Sequence, residues 1–495
     1  MQAILDIIGK FLTGEGRFIL GLGVIIYIIY AWETISNTEN FLRWLTRIQP
    51  RNANAHLRLG NHLKDDEPEE AEREIREAIS INPRLREAYY FLYGLLRDNK
   101  DRREDVEQVV KQMLQSLPDD GITYVYQGII LSRQEAYAGA EQAFRKAISM
   151  LPNSSFAQIH YGRFLVAQER FEEAEKSFRK AVEVDNFDAD AYINLGNLLH
   201  TLKRYAEAEV VCRRAIKLRP SSAGFYAALG HSLSSLNRYS DAEAAYRKVI
   251  QLNPSDVYSY NNLGFLFLTM ERYQEAEHTF REAIQLDLSN AYAYSGLGNS
   301  LLRLERYQEA EGTYRKAIEL DPSVSWFYDD LGILLYRTLK RYDEAEIAFR
   351  KAVELNPSDS SAYINLGDLL YEMGQKEEAI SSFQRGLEIE PKNWLAYFGI
   401  ARASKSLGRN QDVKQYVEKC RDRIPNNESQ WYDLACIESI AGDAEKAFEN
   451  LVKATKEKNF DAEWGWEDPD LQWIRDDPRF AEIVGPKPEN KLPKS

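Results

Sequence analysis

The sequence predicts an all-α solenoid, because several residue columns recur together at one long period. A glycine returns every 34 residues at Gly60, Gly94, Gly128, Gly162, Gly196, Gly230, Gly264, Gly298 and Gly332, then slips by one residue to Gly367, Ala401 and Ala435. Four residues before it stands an aromatic, as at Tyr90, Tyr124, Tyr192, Tyr260, Tyr328 and Trp431, and nine after it another, as at Tyr137, Phe171, Tyr205 and Tyr273. Alanines follow twelve and nineteen residues after the glycine, among them Ala140, Ala174, Ala276, Ala147, Ala181 and Ala283. Self-similarity at such a period marks stacked helical repeats, each of which buries its apolar face only against its neighbours.

Each column has a packing role. The small residues let the two helices of a repeat approach closely, while tyrosines and leucines fill the space between successive repeats. Proline after asparagine or aspartate, as in Asn253-Pro254 and Asp321-Pro322, stops the second helix and opens the next repeat. The pattern over residues 53–460, about twelve units, resembles the tetratricopeptide repeat (TPR), a helix-turn-helix of 34 residues. The resemblance implies a right-handed superhelix whose first helices line a concave groove. Two units depart from the pattern: Val106 and Met113 replace the alanines of the second, and Val413 and Cys420 those of the eleventh.

Composition narrows the function. A chain of 495 residues exceeds one compact core, a limit that a solenoid escapes. The net charge of −14 opposes nucleic-acid binding, which needs clustered Lys and Arg. Basic pairs such as Arg179-Lys180 and Arg213-Arg214 are expected near the ends of second helices, complementing the helix dipole. Cys212, Cys420 and Cys436 lack metal-ligand spacing and are expected as free buried thiols. The six histidines are scattered over different repeat positions. No phosphate-cradling loop, nucleophile elbow or metal-binding helix occurs, so neither enzyme activity nor a cofactor is expected.

Ahead of the array, residues 18–32 read FILGLGVIIYIIYAW, opened by Phe18 and closed by Trp32, without a charge. A helix apolar on every face needs apolar surroundings throughout. At about 22 Å it falls short of a ~30 Å hydrocarbon layer unless Arg17 and Glu33 snorkel. Residues 1–52 are therefore expected to form an interfacial and single-pass transmembrane anchor with a connecting helix, the array lying on the cytoplasmic side by its flanking Arg and Lys. The competing reading makes residues 18–32 the first helix of a capping unit packed in an oligomer, with Phe41, Trp44, Leu45 and Ile48 on its second helix. At the far end, residues 461–485 resemble the closing cap of many prokaryotic TPR proteins, with Leu471, Trp473, Ile474 and Phe480 covering the last apolar face. Residues 486–495 are rich in proline and lysine and are expected to be disordered.

By position, the groove would present Asn194, Asn197, Asn261, Asn262, Asn299 and Asn365, whose amides can donate to and accept from a peptide backbone of any sequence. Six residues before the glycine stand Tyr258, Tyr292 and Trp326, adjoined by Asp329, Asp330 and Asp368. Aromatic faces beside carboxylates suit Arg, Lys or proline-containing segments. The carboxylate clamp of TPR cochaperones needs a lysine where Leu57, Phe91, Val125, Ile159 and Ile193 stand, which disfavours that ligand. The expected function is a non-enzymatic membrane-tethered scaffold that binds protein or peptide partners. The alternatives are a self-assembling structural protein and, from the resemblance of the asparagines to the ladder of O-linked N-acetylglucosamine transferases, an accessory subunit of a glycosyl-transferring complex.

Overall fold

The computed structural model describes residues 39–425, 430–457 and 460–487. Every regular element among these residues is helical, with 27 α-helices and no strand. From Gly121 to Leu320 the helices alternate between 13 and 14 residues, as in Ser155–Ala167 followed by Phe171–Val184. The chain divides into two compact units, Met1–Ser232 and Leu233–Ser495, with the division inside the helix Ala223–Ser235. Within each unit, consecutive helices pack as antiparallel pairs and neighbouring first helices touch.

The local chemistry accounts for the helix ends. Asp120, Ser154, Asp188, Asn290, Asp359 and Asn393 cap first helices, each side-chain oxygen accepting a backbone N–H of the opening turn. First helices end in a left-handed residue: Glu135, Glu169, Lys203, Asn237, Glu271, Glu305 and Lys340 have φ between 54° and 60°, and Gly374, Gly408 and Gly442 take the same place later in the chain. The amide after it returns to a carbonyl five residues back, as Arg170 N to Leu165 O at 2.9 Å, which satisfies an orphan carbonyl of the helix end. Column tyrosines use their hydroxyls on the turn before them: half-buried Tyr124 donates to Pro118 O at 3.0 Å and buried Tyr397 to Pro391 O at 3.0 Å.

The glycine column is a steric requirement. A Cβ at Gly128, Gly162, Gly264, Gly332 or Gly367 would lie within 3.0 Å of the ring of Phe144, Phe178, Phe280, Phe349 or Phe383, and at Gly298 it would meet Tyr314. This third aromatic column, sixteen residues after the glycine and seventeen after Gly332 because of the inserted residue, is fully buried and lies outside the columns of the sequence pattern. The alanines at Ala140, Ala174, Ala276, Ala147, Ala181 and Ala283 have no exposed surface. The two divergent repeats remain helix pairs, with Val106, Met113, Val413 and Cys420 buried in the places of the alanines. The added residue between Gly332 and Gly367 is absorbed by a π turn at Leu334–Thr338, where Leu339 N bonds Leu334 O at 3.1 Å. All three cysteines are free and buried.

Successive repeats are also joined by charge. The arginine after the left-handed residue pairs forward with a glutamate of its own second helix and back to one in the preceding repeat. The backward pairs are Arg170–Glu141, Arg204–Glu175, Arg272–Glu243, Arg306–Glu277 and Arg341–Glu311, at 2.6–2.8 Å. The basic residues expected to serve the helix dipole belong to this network instead. Arg179 stands in mid-helix and bonds Glu175 at 2.7 Å and Glu207 of the next repeat at 3.3 Å, and Arg213 bonds Glu209 at 2.9 Å. The side-chain fork can reach a second carboxylate there, which the helix terminus cannot offer.

At the N-terminal side, the helix Glu39–Ile48 packs Phe41 and Leu42 on Leu59, Leu63 and Ala71, while Arg43 ties Glu39, Glu67 and Glu70. Trp44 and Ile48 are exposed on its outer side. This helix is thus part of the packed array, so the array starts before residue 53. The apolar run 18–32 lies outside the described residues, among which no helix is long and apolar enough to cross a membrane. At the other end, Leu471, Ile474, Phe480 and Val484 are buried with Phe448 and Leu451, and Trp473 is half-buried.

Two measurements test this account. Gly264→Ala should destabilise by about 1–3 kcal/mol, because the buried Phe280 ring stands 2.7 Å from the new Cβ, whereas Gly94→Ala, with nothing within 4 Å, should stabilise by up to ~1 kcal/mol. Equal shifts in thermal unfolding would contradict the packing role. Hydrogen bonds from Arg170 and Arg145 hold the Glu141 carboxyl down at about 2 against an ordinary 4.5. Its contribution to stability is therefore complete above about 4.5 and lost as pH falls through about 2. Thermal stability should fall across that window, and less steeply in Glu141→Gln.

Candidate partner-binding face

The residues expected to line a groove all stand on first helices, but their amides are differently employed. In the first compact unit, Asn194 accepts from Arg163 Nε at 2.8 Å and donates to Asp190 O at 2.6 Å, while Asn197 is exposed. In the second unit, Asn261 is buried and exchanges two amide hydrogen bonds with Asn290, at 3.3 and 3.1 Å, as Asn290 caps its own helix at Ala293 N. Asn261 is thereby a staple between neighbouring first helices and has no amide to offer a ligand. Asn262, one residue on, is half-buried.

The carboxylates are drawn into the same inter-repeat ladder. Asp330 accepts from Ser295 Oγ and from Asn299 Nδ2, both at 3.1 Å, and Asn299 Oδ1 accepts from Tyr314 at 2.8 Å. Asn365 Nδ2 donates to both oxygens of Asp329 at 3.1 Å. Asp368 takes 2.8 Å from Arg402 Nη2. Burial pushes the Asp330 carboxyl up to about 7, against the hydrogen bonds from Asn299 and Ser295, and raises Asp329 and Asp368 as well. The partners of Asp330 are neutral donors, so its negative charge is not balanced by a cation in contact.

The aromatic column beside these acids faces outward. Tyr258 is 79% and Tyr292 47% exposed. Trp326 is half-buried, with its ring 5.8 Å from Tyr292 and 6.4 Å from Phe265. The structure therefore brings Tyr292, Trp326, Phe265, Asn299 and Asp330 together on three adjacent first helices, Val257–Thr269, Ala291–Arg303 and Ser325–Ile333. Phe265 and Arg402 are absent from the sequence expectation. Both occupy the column directly after the small residue, shared with Asn197, Asn299 and Asp368, which was the available signal. A cavity of about 440 Å³ is bounded by Ile318 and Ile347 of two second helices and by Tyr328, Leu331 and Leu335 of the first-helix segment between them. Among the described residues no group of His, Cys, Asp or Glu could hold a metal ion.

Comparison with protein families matches the sequence to tetratricopeptide repeats at residues 162–223, 266–325, 327–359 and 360–393, and to a TPR repeat at residues 230–271. These segments carry tetratricopeptide repeats. Solved structures similar to it include YrrB, described as a TPR protein with an unusual peptide-binding site, at 26% identity over 37% of this chain and 95% of that one, TM-score 0.29. PilF of Pseudomonas aeruginosa is 22% identical over 42% of this chain and 94% of its own, TM-score 0.37. Cut9 with Hcn1, an APC/C hetero-tetramer, is similar at 17% over 76% and 74%, TM-score 0.43. Among curated proteins none matches the chain. In TPR terms, the candidate face is the first-helix wall, and its chemistry in the second compact unit is aromatic and acidic.

Proposed function

We propose that the protein is a non-enzymatic scaffold that recruits protein partners by holding extended segments against its first-helix wall. The observation that carries this reading is the open aromatic pair Tyr292 and Trp326 on the same face as a half-buried carboxyl, Asp330, that has no cation in contact, with the exposed ring of Tyr258 one repeat before them. Exposed aromatic faces next to uncompensated acids favour guanidinium, ammonium and proline-containing segments. TPR scaffolds typically mediate protein–protein interaction, and the packed repeats leave this face open to a partner. The engaged amides of Asn194, Asn261, Asn299 and Asn365 count against the peptide-backbone role of the asparagines and against the glycosyl-transfer alternative that draws on it.

A panel of basic, acidic and proline-containing peptides tests the wall. Tyr258→Ala and Tyr292→Ala should change preference among peptides, with basic ones losing about 0.5–2 kcal/mol per lost cation-aromatic contact. Asn365→Ala, which removes an amide already held by Asp329, should leave the preference unchanged, and neither set should alter the helical signal. Binding undisturbed by the tyrosine set would move the functional surface elsewhere.

The scaffold reading includes a tether at residues 18–32, supported by an uncharged apolar run of fifteen residues. Since the helix Glu39–Ile48 packs on the array, the informative truncation removes residues 1–38 only. Full-length protein should sediment with membranes or need detergent, and the truncated chain should be soluble and monodisperse. Detergent-free monomeric full-length protein would defeat the tether. Large particles formed by the truncated chain would favour self-assembly, for which Trp44 and Ile48 offer exposed apolar surface.

A further inference from the structure

The last two first helices, Trp394–Ser406 and Gln430–Ala441, carry a charged cluster closed over by the C-terminal cap. Asp470 of the cap is 9% exposed. Its Oδ2 is 3.5 Å from Arg402 Nη1, and its Oδ1 has no hydrogen-bond partner. Arg402 gives its shorter contact, 2.8 Å, to Asp368, lies 4.2 Å over the Tyr371 ring, and leaves its own Nε unpartnered.

The groups facing Asp470 are few enough to name. Asp368, Tyr371 and Glu372 come from the helix Ser360–Glu372, Arg402 from Trp394–Ser406, and Tyr432 and Cys436 from Gln430–Ala441. Asp468 stands two residues back in the cap and accepts from Tyr432 Oη at 2.6 Å and Cys436 Sγ at 3.8 Å, while Arg475 bonds its carbonyl. Asp433, on the same helix as Tyr432, feels both Asp468 and Glu457. Arg402 is thus the guanidinium shared by Asp368 and Asp470, with Arg475 bonded to the Asp468 carbonyl and Arg337 near Asp368, and the carboxylate that Arg402 reaches least well has a buried, unbonded oxygen. Desolvation and like charge both favour the neutral form of such a group.

We propose that the docked cap is closed over a protonated Asp470, and that ionisation of this carboxyl loosens the cap and uncovers Arg402 and Tyr432 on the first-helix wall. Burial pushes the Asp470 carboxyl up to about 7, with Arg402 opposing and Asp468, Asp368 and Glu372 adding to the rise. Released from the array, an aspartate titrates near about 4. The docked state therefore binds the extra proton, so closure is strongest below about 4, weakens as pH rises, and levels off above 7. The opening is confined to the segment around Asp470, while Phe480 and Val484 stay packed with Phe448 and Leu451, which makes the change a local opening and not loss of the cap.

Hydrogen exchange of the full-length chain, corrected for the intrinsic pH dependence, reads this opening at the amides of Leu471 and Ile474, which bond Asp468 O at 3.2 Å and Leu471 O at 3.1 Å. Between pH 6 and 8 the opening equilibrium should rise about tenfold, the change one proton with this titration produces. Asp433, pushed up to about 6 by burial and by Asp468 and Glu457, adds about twofold over the same range. Asp470→Asn, permanently neutral, should keep the cap closed at pH 8 and leave only that twofold change. A wild-type opening equilibrium constant across the range would overturn the proposal, as would Asp470→Asn that retains the tenfold rise. An Asp470→Asn cap that stands open already at pH 6 would overturn it too, because a neutral side chain is what the closed form requires.

Discussion

The fold depends on a contact between a glycine and a ring. At six glycines of the column the ring of the second helix lies so close that a Cβ would stand within 3.0 Å of it. That contact sets the distance between the two helices of a repeat, and the fully buried alanines of the second helix allow the same approach from the other side. Where the column faces open space, at Gly94, the repeat still forms, through a different set of buried residues that includes Val106, Val110 and Met113. Packing thus tolerates loss of the ring in one repeat while its neighbours supply the interface.

Around this apolar seam runs a polar one. The arginines that follow left-handed turns, such as Arg170 and Arg204, reach back to the preceding repeat, and the half-buried glutamates that receive them also take an arginine one turn along their own helix. On the first-helix side the joining chemistry changes to amides and carboxylates, Asn261 with Asn290, Asn299 with Asp330 and Asn365 with Asp329. Both seams stabilise stacking. They differ in what they leave to a partner: the arginine seam is compensated, whereas the Asp330 carboxyl is satisfied only by neutral donors and shares its face with Tyr292 and Trp326.

Much of the candidate wall was legible. Tyr258, Tyr292 and Trp326 share one position in successive repeats, and Asp329 and Asp330 follow within a turn of Trp326. Less accessible was the state of each side chain. Asn261 and Asn262 are neighbours in the chain, yet one is buried against Asn290 and the other half-buried, because consecutive helical residues point about 100° apart. Arg402 could be placed in its column, but its contact with Asp470 spans 68 residues and exists only because the cap folds back over the last repeats.

By itself the sequence determined the helical class, the 34-residue register, the inserted residue and the identity of the buried alanines, since each follows from spacing along one chain. Tertiary structure decided how the insertion is absorbed, as a π turn at Leu334–Thr338, and which polar residues are occupied. It also decided that the helix Glu39–Ile48 belongs to the array and that the cap buries Asp470 beside a guanidinium shared with Asp368. The physical reason is the same throughout. Periodicity reports which face of a helix is apolar, while the hydrogen-bond partner and the charge environment of a polar side chain are set by whichever repeat or cap is packed against it.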